Sequence, residues 1–289
     1  MKKKAVSKDK ESFINAQNRN MFMEKEYELK YHDIEKANWW FAGRRDIIFR
    51  NMPKKKELKI LDVGCSGGIN MKFLKEKKFK NVFGIDISKQ AIESCKKNGI
   101  KNVLLMEGSK TSFKDKEFDI IIASDVLEHI KDDEKALSEW GRILKDNGKL
   151  ILFVPAFNFL WNNHDNINHH YRRYSKKELV KIVNEFGFKV IRASYWNFFI
   201  FLPTSFVKIF QKIFIKKSGE NFIGINPLIN KLLLKMIYIE NRLLNNTNLP
   251  LGVSVFVIAE KIKIPADPEG RGIFIPPTGN DGRGRASGY

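Results

Sequence analysis

Ile60-Leu61-Asp62-Val63-Gly64-Cys65-Ser66-Gly67-Gly68 is the stretch that decides the fold. A short apolar run, Leu58–Val63, predicts a strand that ends on glycines. Ile69–Lys77 follows at helical spacing. A loop between a strand and a helix is where a ligand approaches the backbone in an open α/β sheet. Glycine turns tightly there and leaves no Cβ in the ligand's way. A nicotinamide site calls for Gly-x-Gly-x-x-Gly beneath a pyrophosphate. Here Ser66 stands in the second glycine's place, and Asp62 precedes the loop. A carboxylate at that point repels pyrophosphate and suits an ammonium group.

Outward from the loop the pattern repeats. Asn81–Ile87 predicts a second strand, Lys89–Asn98 a helix closed by Gly99, and Asn102–Met106 a third strand. Phe118–Ala123 is a continuous Ile-rich run, as expected of a strand buried on both faces. Asp132–Leu144 predicts a helix closed by Asn147-Gly148, and Lys149–Val154 a fifth strand. Ser175 with Glu178 forms a capping box for a helix through Phe186. Phe188–Tyr195 and Val253–Lys261 complete seven strands. Alternating strands and helices predict a doubly wound α/β, Rossmann-like sheet, mostly parallel.

The chain has 289 residues, 43% of them apolar and 12% aromatic, which excludes wholesale disorder. Two cysteines, Cys65 and Cys95, exclude a disulfide scaffold. The opening MKKKAVSKDK has charge without an apolar stretch, and no run of eighteen apolar residues occurs, so neither a signal peptide nor a spanning helix is expected. The expected setting is the cytoplasm, with a peripheral position at the inner membrane face as its extension. The net charge of +19 attracts polyanions: nucleic acid, anionic lipid or phosphate-bearing substrates.

Three domain-level parts are expected. Residues 1–53 form a helical N-terminal lid carrying Trp39, Trp40 and Phe41. Residues 54–264 form the sheet domain, with a helical aromatic and basic insertion at 197–250 before the last strand. Residues 265–289 contain no lysine and read as a disordered tail or a foreign extension. Within the insertion, Pro203 interrupts the run from Tyr195 to Ile215. Beyond it Phe206, Val207, Ile209, Phe210, Ile213 and Phe214 recur at helical spacing with lysines between them. Such a stripe packs on its own protein, on a second copy as a homodimer, or on an anionic membrane surface.

The second acid of interest is Asp86, which ends the second strand about twenty residues after the loop. An acid at that place bonds ribose hydroxyls. A loop that receives an amine and an acid that receives a ribose together describe S-adenosylmethionine. Over residues 58–155 the chain resembles the class I S-adenosylmethionine-dependent methyltransferases, of the type 11/12 kind. The resemblance implies a seven-stranded sheet with its last strand antiparallel. It also implies that Gly64, Cys65, Ser66 and Gly67 line the methionine part of the cofactor, with Asp62 at its amino end. Asp86 and Ile87 would then meet the ribose and adenine. Family members often carry an acid after glycine at the third strand; here the pair is Gly108-Ser109, and Ser109 is the expected, weaker contact. The stretch from Phe118 to His129 matches the fourth-strand motif and sets Ser124 and Asp125 near the sulfonium.

An oxygen acceptor needs a base or a metal for its proton. The candidate bases are His129, His164 and His170. Asp125-x-x-Glu128-His129 is similar to the Glu-x-x-Glu-His metal motif of ubiquinone-pathway O-methyltransferases. The favoured reading is nonetheless a loop brace with no metal bound. Trp39, Trp40 and Arg44, together with Tyr171, Arg172, Arg173 and Tyr174, look like a bacterial branch often encoded beside polysaccharide glycosyltransferases. They are the expected contacts to the acceptor, where an Arg pair suits hydroxyl arrays or phosphate. The expectation is O-methylation of a saccharide or lipid-linked glycan. The rivals are a metal-using quinone or small-molecule O-methyltransferase, an RNA methyltransferase, and a non-catalytic membrane-associated scaffold.

Overall fold

The computed structural model describes residues 34–214 and 226–263. Residues 1–33 of the expected lid and the 265–289 tail lie outside the described residues. So do the side chains of residues 208–214 in the aromatic stripe.

A helical turn at 34–37 leads into α1 (Trp39–Arg50), whose start is capped by the Asn38 side chain on the Trp40 N–H. Then follow β1 (Lys59–Val63), α2 (Ile69–Glu76), β2 (Asn81–Asp86), α3 (Lys89–Lys97), β3 (Val103–Leu105) and β4 (Phe118–Ser124). A short 3-10 turn at Leu127–His129 precedes α4 (Asp133–Ile143) and β5 (Leu144–Pro155). The chain continues through α5 (Asn163–Ile167), α6 (Lys176–Glu185), β6 (Phe188–Trp196), α7 (Phe201–Phe214), α8 (Pro227–Leu243) and β7 (Ser254–Lys261).

The sheet order is β3-β2-β1-β4-β5-β7-β6. β1 to β5 pair in parallel, and β7 runs antiparallel to both β5 and β6. The expected Rossmann-like sheet with an antiparallel last strand is therefore what the chain forms. Alternate strand residues feed two cores. Leu61, Ile121 and Val257 pack with Trp140 of α4 and Leu179 and Val183 of α6. Ile60, Ile122 and Phe256 pack on the other face with Ile47 of α1, Met71 of α2, Cys95 of α3 and Ile237 of α8. Each fully buried aliphatic side chain contributes about 1.5–3 kcal/mol, so this two-sided burial holds the sheet.

The Ser175–Glu178 capping box forms in both directions. Two boundaries differ from expectation. Asn147-Gly148 does not close α4: the helix stops at Ile143, and residues 144–148 enter β5 through an irregularity opposite Phe118–Ile120. Leu144 is fully buried and pairs with Phe118, so tertiary packing ends the helix before the Asn-Gly turn is reached. Pro203 does not interrupt a helix either. It sits in the first turn of α7, where no intrahelical N–H bond is required of it.

β1 lies at the point where the crossovers diverge, to β2 on one side and β4 on the other. Ligands bind outside the carboxyl ends of the strands at such a switch point.

Candidate active site

A cleft of about 1410 Å³ opens above the carboxyl ends of β1, β2 and β4. Its floor is the glycine loop. Gly64 has φ +68°, and a Cβ there would lie 2.4 Å from Val126 Cγ2, so only glycine fits. The loop is held from β2: Gly64 and Cys65 N–H donate to the Ile85 carbonyl, and Ser66 N–H donates to Asp86 at 2.9 Å. The other Asp86 oxygen accepts the Ser88 N–H. Cys65 lines the cleft and is 3% exposed. Its thiol turns under the loop towards Cys95, and that contact and burial push its pKa up.

Three carboxylates converge here. Asp62 is 3% exposed, accepts from Asn70 at 3.0 Å, and is pushed up to about 8, chiefly by burial. Asp86 is raised by burial against its backbone hydrogen bonds. The third is Glu35, from the turn before α1. Burial raises it to about 7, and it accepts the Ser66 hydroxyl at 2.9 Å. Sequence reasoning missed Glu35, because it belongs to no motif and lies outside the sheet domain. Negative charge gathered around an apolar-walled cleft suits a cation.

The cleft wall beyond β2 and β3 is assembled differently from expectation. Ile87 lines the cleft and is 47% exposed. Met106, Glu107 and Gly108 line it too, but Ser109 is turned away and its hydroxyl bonds the Glu107 carboxylate. Glu107 is thus the acid that reaches the wall in place of Ser109. Gly67 is likewise absent from the lining; its carbonyl accepts from Asn98.

On the β4 side, Ser124 and Asp125 line the cleft. Asp125 adopts φ +54°. Arg44 of α1, only 5% exposed, reaches across to bond the Ser124 hydroxyl at 3.1 Å and the Asp125 carboxylate. Its guanidinium also lies 5.3 Å from the Trp40 ring and 5.2 Å from the Trp196 ring. Arg44 therefore braces the β4 side of the cleft through Ser124 and Asp125, rather than standing open to an acceptor. Trp39, the first residue of α1, is buried in the core, and Trp40 packs edge-on to Trp196; both touch the cleft.

The expected acceptor arginines are consumed within the fold. Arg173 donates from Nε to Asp165 at 2.7 Å and from a second nitrogen at 3.0 Å. Arg172 pairs with Asp133, as does the Tyr174 hydroxyl at 2.9 Å, and neither residue lines the cleft. Tyr171 does line it and is 49% exposed.

All three candidate histidines line the cleft. Asp165 is fully buried, and its pKa is driven down by His170 and Arg173 against the burial cost. His170 Nδ1 sits 2.8 Å from Asp165 Oδ1, which assigns the proton to Nδ1 and leaves Nε2 as acceptor. Burial keeps the His170 pKa below its ordinary value despite Asp165. His129 stands edge-on to it at 4.5 Å between ring centroids, and burial lowers it to about 3. Beneath them Glu128 is fully buried with neither carboxylate oxygen hydrogen-bonded, and is pushed up to about 8. Glu128, His129 and His170 bring one ligand atom each within 4.8 Å of one another. The expected metal set of Asp125, Glu128 and His129 is thereby altered: Arg44 occupies Asp125, and His170 stands in its place.

Comparisons with known proteins bear on the family and the fold. A family described as "Methyltransferase domain" matches residues 61–152. The uncharacterized protein MJ1123 of Methanocaldococcus jannaschii is 33% identical over 175 residues, covering 55% of this chain and 80% of that protein. A ubiquinone biosynthesis O-methyltransferase of Pelagibacter ubique is 35% identical over 122 residues, 39% of this chain; the chain spans only 48% of that relative's length. The structure of a SAM dependent methyltransferase from Archaeoglobus fulgidus superposes with a TM-score of 0.53 at 20% identity, over 80% of this chain and 99% of that one, and so shares the fold. The chain belongs to the class I S-adenosylmethionine-dependent methyltransferases.

Proposed function

We propose that the chain transfers the methyl group of S-adenosylmethionine to a hydroxyl oxygen of a saccharide or lipid-linked glycan. The observation that carries an oxygen acceptor is the Asp165–His170 pair at the cleft wall. In the reaction the acceptor oxygen bonds the methyl carbon and the carbon–sulfur bond breaks. S-adenosylhomocysteine leaves, and the hydroxyl proton passes to His170 Nε2. Asp165 holds the ring in that tautomer and stabilises the imidazolium that forms. Asp62, Asp86 and Glu35 are the groups we assign to the cofactor's ammonium and ribose ends, with Glu107 and Ile87 at its base. The acceptor side presents Trp40, His164, Asn166, Asn168 and Tyr171. Amide and hydroxyl groups beside aromatic faces suit a hydroxyl array. A phosphate would have wanted the arginines that Asp133 and Asp165 already hold.

The test is incubation of acceptor extracts with the protein and methyl-labelled cofactor, read by mass spectrometry. A labelled product in a glycan or glycolipid fraction supports the reading. Label confined to RNA or to quinones overturns it.

A second reading is favoured by one observation, the proximity of Glu128, His129 and His170. The buried, unpaired Glu128 carboxylate and two neutral imidazoles fit a divalent cation, which would supply Lewis-acid activation of a small-molecule hydroxyl. On this reading Asp165 orients His170 as a ligand. Turnover unaffected by chelator rejects it.

A further inference from the structure

α8 carries two faces that the methyltransferase fold does not use. Its inward face is accounted for. Ile237 packs against Gly43 of α1, and Asn241 bonds the Trp196 indole and the Gly43 carbonyl. Glu240 accepts the Asn197 and Phe199 N–H groups. Away from the body, Leu228, Leu232, Ile239 and Leu243 follow one another at helical spacing, with Leu228 78% and Leu232 66% exposed. Four large apolar side chains in one exposed row exceed the scattered exposure of an ordinary surface. Beside that row Lys231, Lys235 and Arg242 form a second one, all exposed. None of the three forms an ion pair among the described residues. The only acid of α8 is Glu240, and it is buried.

We propose that α8 is a docking face for an anionic lipid bilayer, lying in the plane of the interface. An apolar row flanked by a basic row is the arrangement that buries side chains just below the headgroups while ammonium and guanidinium groups meet lipid phosphates. Charge decides the occupant. A second copy of this helix brings no exposed carboxylate to face the basic row, whereas an anionic leaflet brings many, and the chain carries a net charge of +19. No described helix is long and apolar enough to cross a membrane, so the contact is peripheral. Because α8 packs on α1, which supplies Arg44 and Trp40 to the cleft, docking holds the catalytic body against the surface where a lipid-linked acceptor resides. The docking itself does not depend on the acceptor proposed above.

Flotation of the full chain with phosphatidylcholine vesicles, with and without phosphatidylglycerol, tests this. The wild type is expected to float with the phosphatidylglycerol vesicles only, and to be released by salt. The double variants Leu232→Ser/Ile239→Ser and Lys231→Glu/Lys235→Glu are each expected to lose about tenfold or more in vesicle affinity. Their S-adenosylhomocysteine binding should stay at the wild-type level, which shows that they fold. Equal flotation of wild type and folded variants overturns the proposal. So does a wild-type dimer that ignores vesicles and dissociates on Leu232→Ser/Ile239→Ser, which would make the row a self-association face.

Discussion

The Ser66 hydroxyl donates a 2.9 Å hydrogen bond to the Glu35 carboxylate, tying the glycine loop to the turn that precedes α1. This bond puts a third acid beside Asp62 and Asp86; on top of burial, Asp86 raises the Glu35 pKa, and Glu35 and Asp86 together raise that of Asp62. The ligand-free protein therefore holds protons here near neutral pH, and a cationic cofactor must displace them. S-adenosylmethionine affinity is expected to rise as pH goes from about 6 to about 8, through the values of Glu35 and Asp62. Binding should release protons, measured by calorimetry in buffers of different ionisation enthalpy. An affinity flat across that window would remove the acids from the cofactor site. Glu35→Gln gives the matching stability test. A carboxylate with a raised folded pKa destabilises increasingly as pH climbs from its unfolded value of about 4.5 to about 7. The ligand-free variant should thus gain on the wild type over that span, by up to about 3 kcal/mol.

Asp86→Ala should weaken S-adenosylhomocysteine binding by roughly 10- to 100-fold, the loss of one or two hydrogen bonds to a charged group. Two effects combine: the ribose loses an acceptor, and the Ser66 and Ser88 N–H groups lose theirs, so the loop relaxes. Titration calorimetry decides it. A wild-type dissociation constant would exclude Asp86 from the site.

His170→Ala is expected to lower kcat by about 10²- to 10⁴-fold, the usual contribution of a positioned base. Cofactor affinity should not change, since the assigned cofactor contacts lie on the other side of the cleft. The pH dependence has a definite sign. Burial holds the His170 pKa below its ordinary value, so the base stays neutral, and kcat stays high, somewhat below pH 6.5. Loss of the acid limb in His170→Ala is the signature to look for. An unchanged kcat would return the proton to water or to His129.

The sheet and the loop were legible because their signals are local. A strand that must be buried on both faces, such as Phe118–Ala123, has to be apolar throughout, and a turn at φ +68° has to be glycine. The acids at the strand ends, Asp62 and Asp86, were legible as cleft residues for the same reason. What was not legible depended on distant partners. Arg172 and Arg173 have the same neighbours in sequence whether they face a ligand or an acid of the fold. Only the arrival of Asp133 and Asp165 settles that they face acids. Glu35 gave no signal because a glutamate before a helix is ordinarily solvated. Its role comes from the folding of α1 across the cleft. The end of α4 was misplaced because the Asn147-Gly148 turn signal is strong, yet Leu144 is worth more in the core as a strand residue.

In the proposed reaction, Asp165, held by Arg173, serves structure and catalysis with one carboxylate. Asp165 accepts from Arg173, from His170 and from the Asn162 N–H at 2.8 Å, all within a buried site. Removing Arg173 leaves a buried anion without its main counter-charge. Arg173→Leu should therefore destabilise the fold by about 3–5 kcal/mol, measured by urea unfolding at neutral pH. The depressed Asp165 pKa fixes how this varies. Its stabilisation is complete above the unfolded carboxylate value near 3.8 and is lost as pH falls below it, so the gap between variant and wild type should close in acid. The same variant should raise the His170 pKa, because the Asp165 charge is then shared with the imidazole alone, and should shift the acid limb of kcat upward. A variant as stable as the wild type at neutral pH would show that Arg173 is not what holds the base in place.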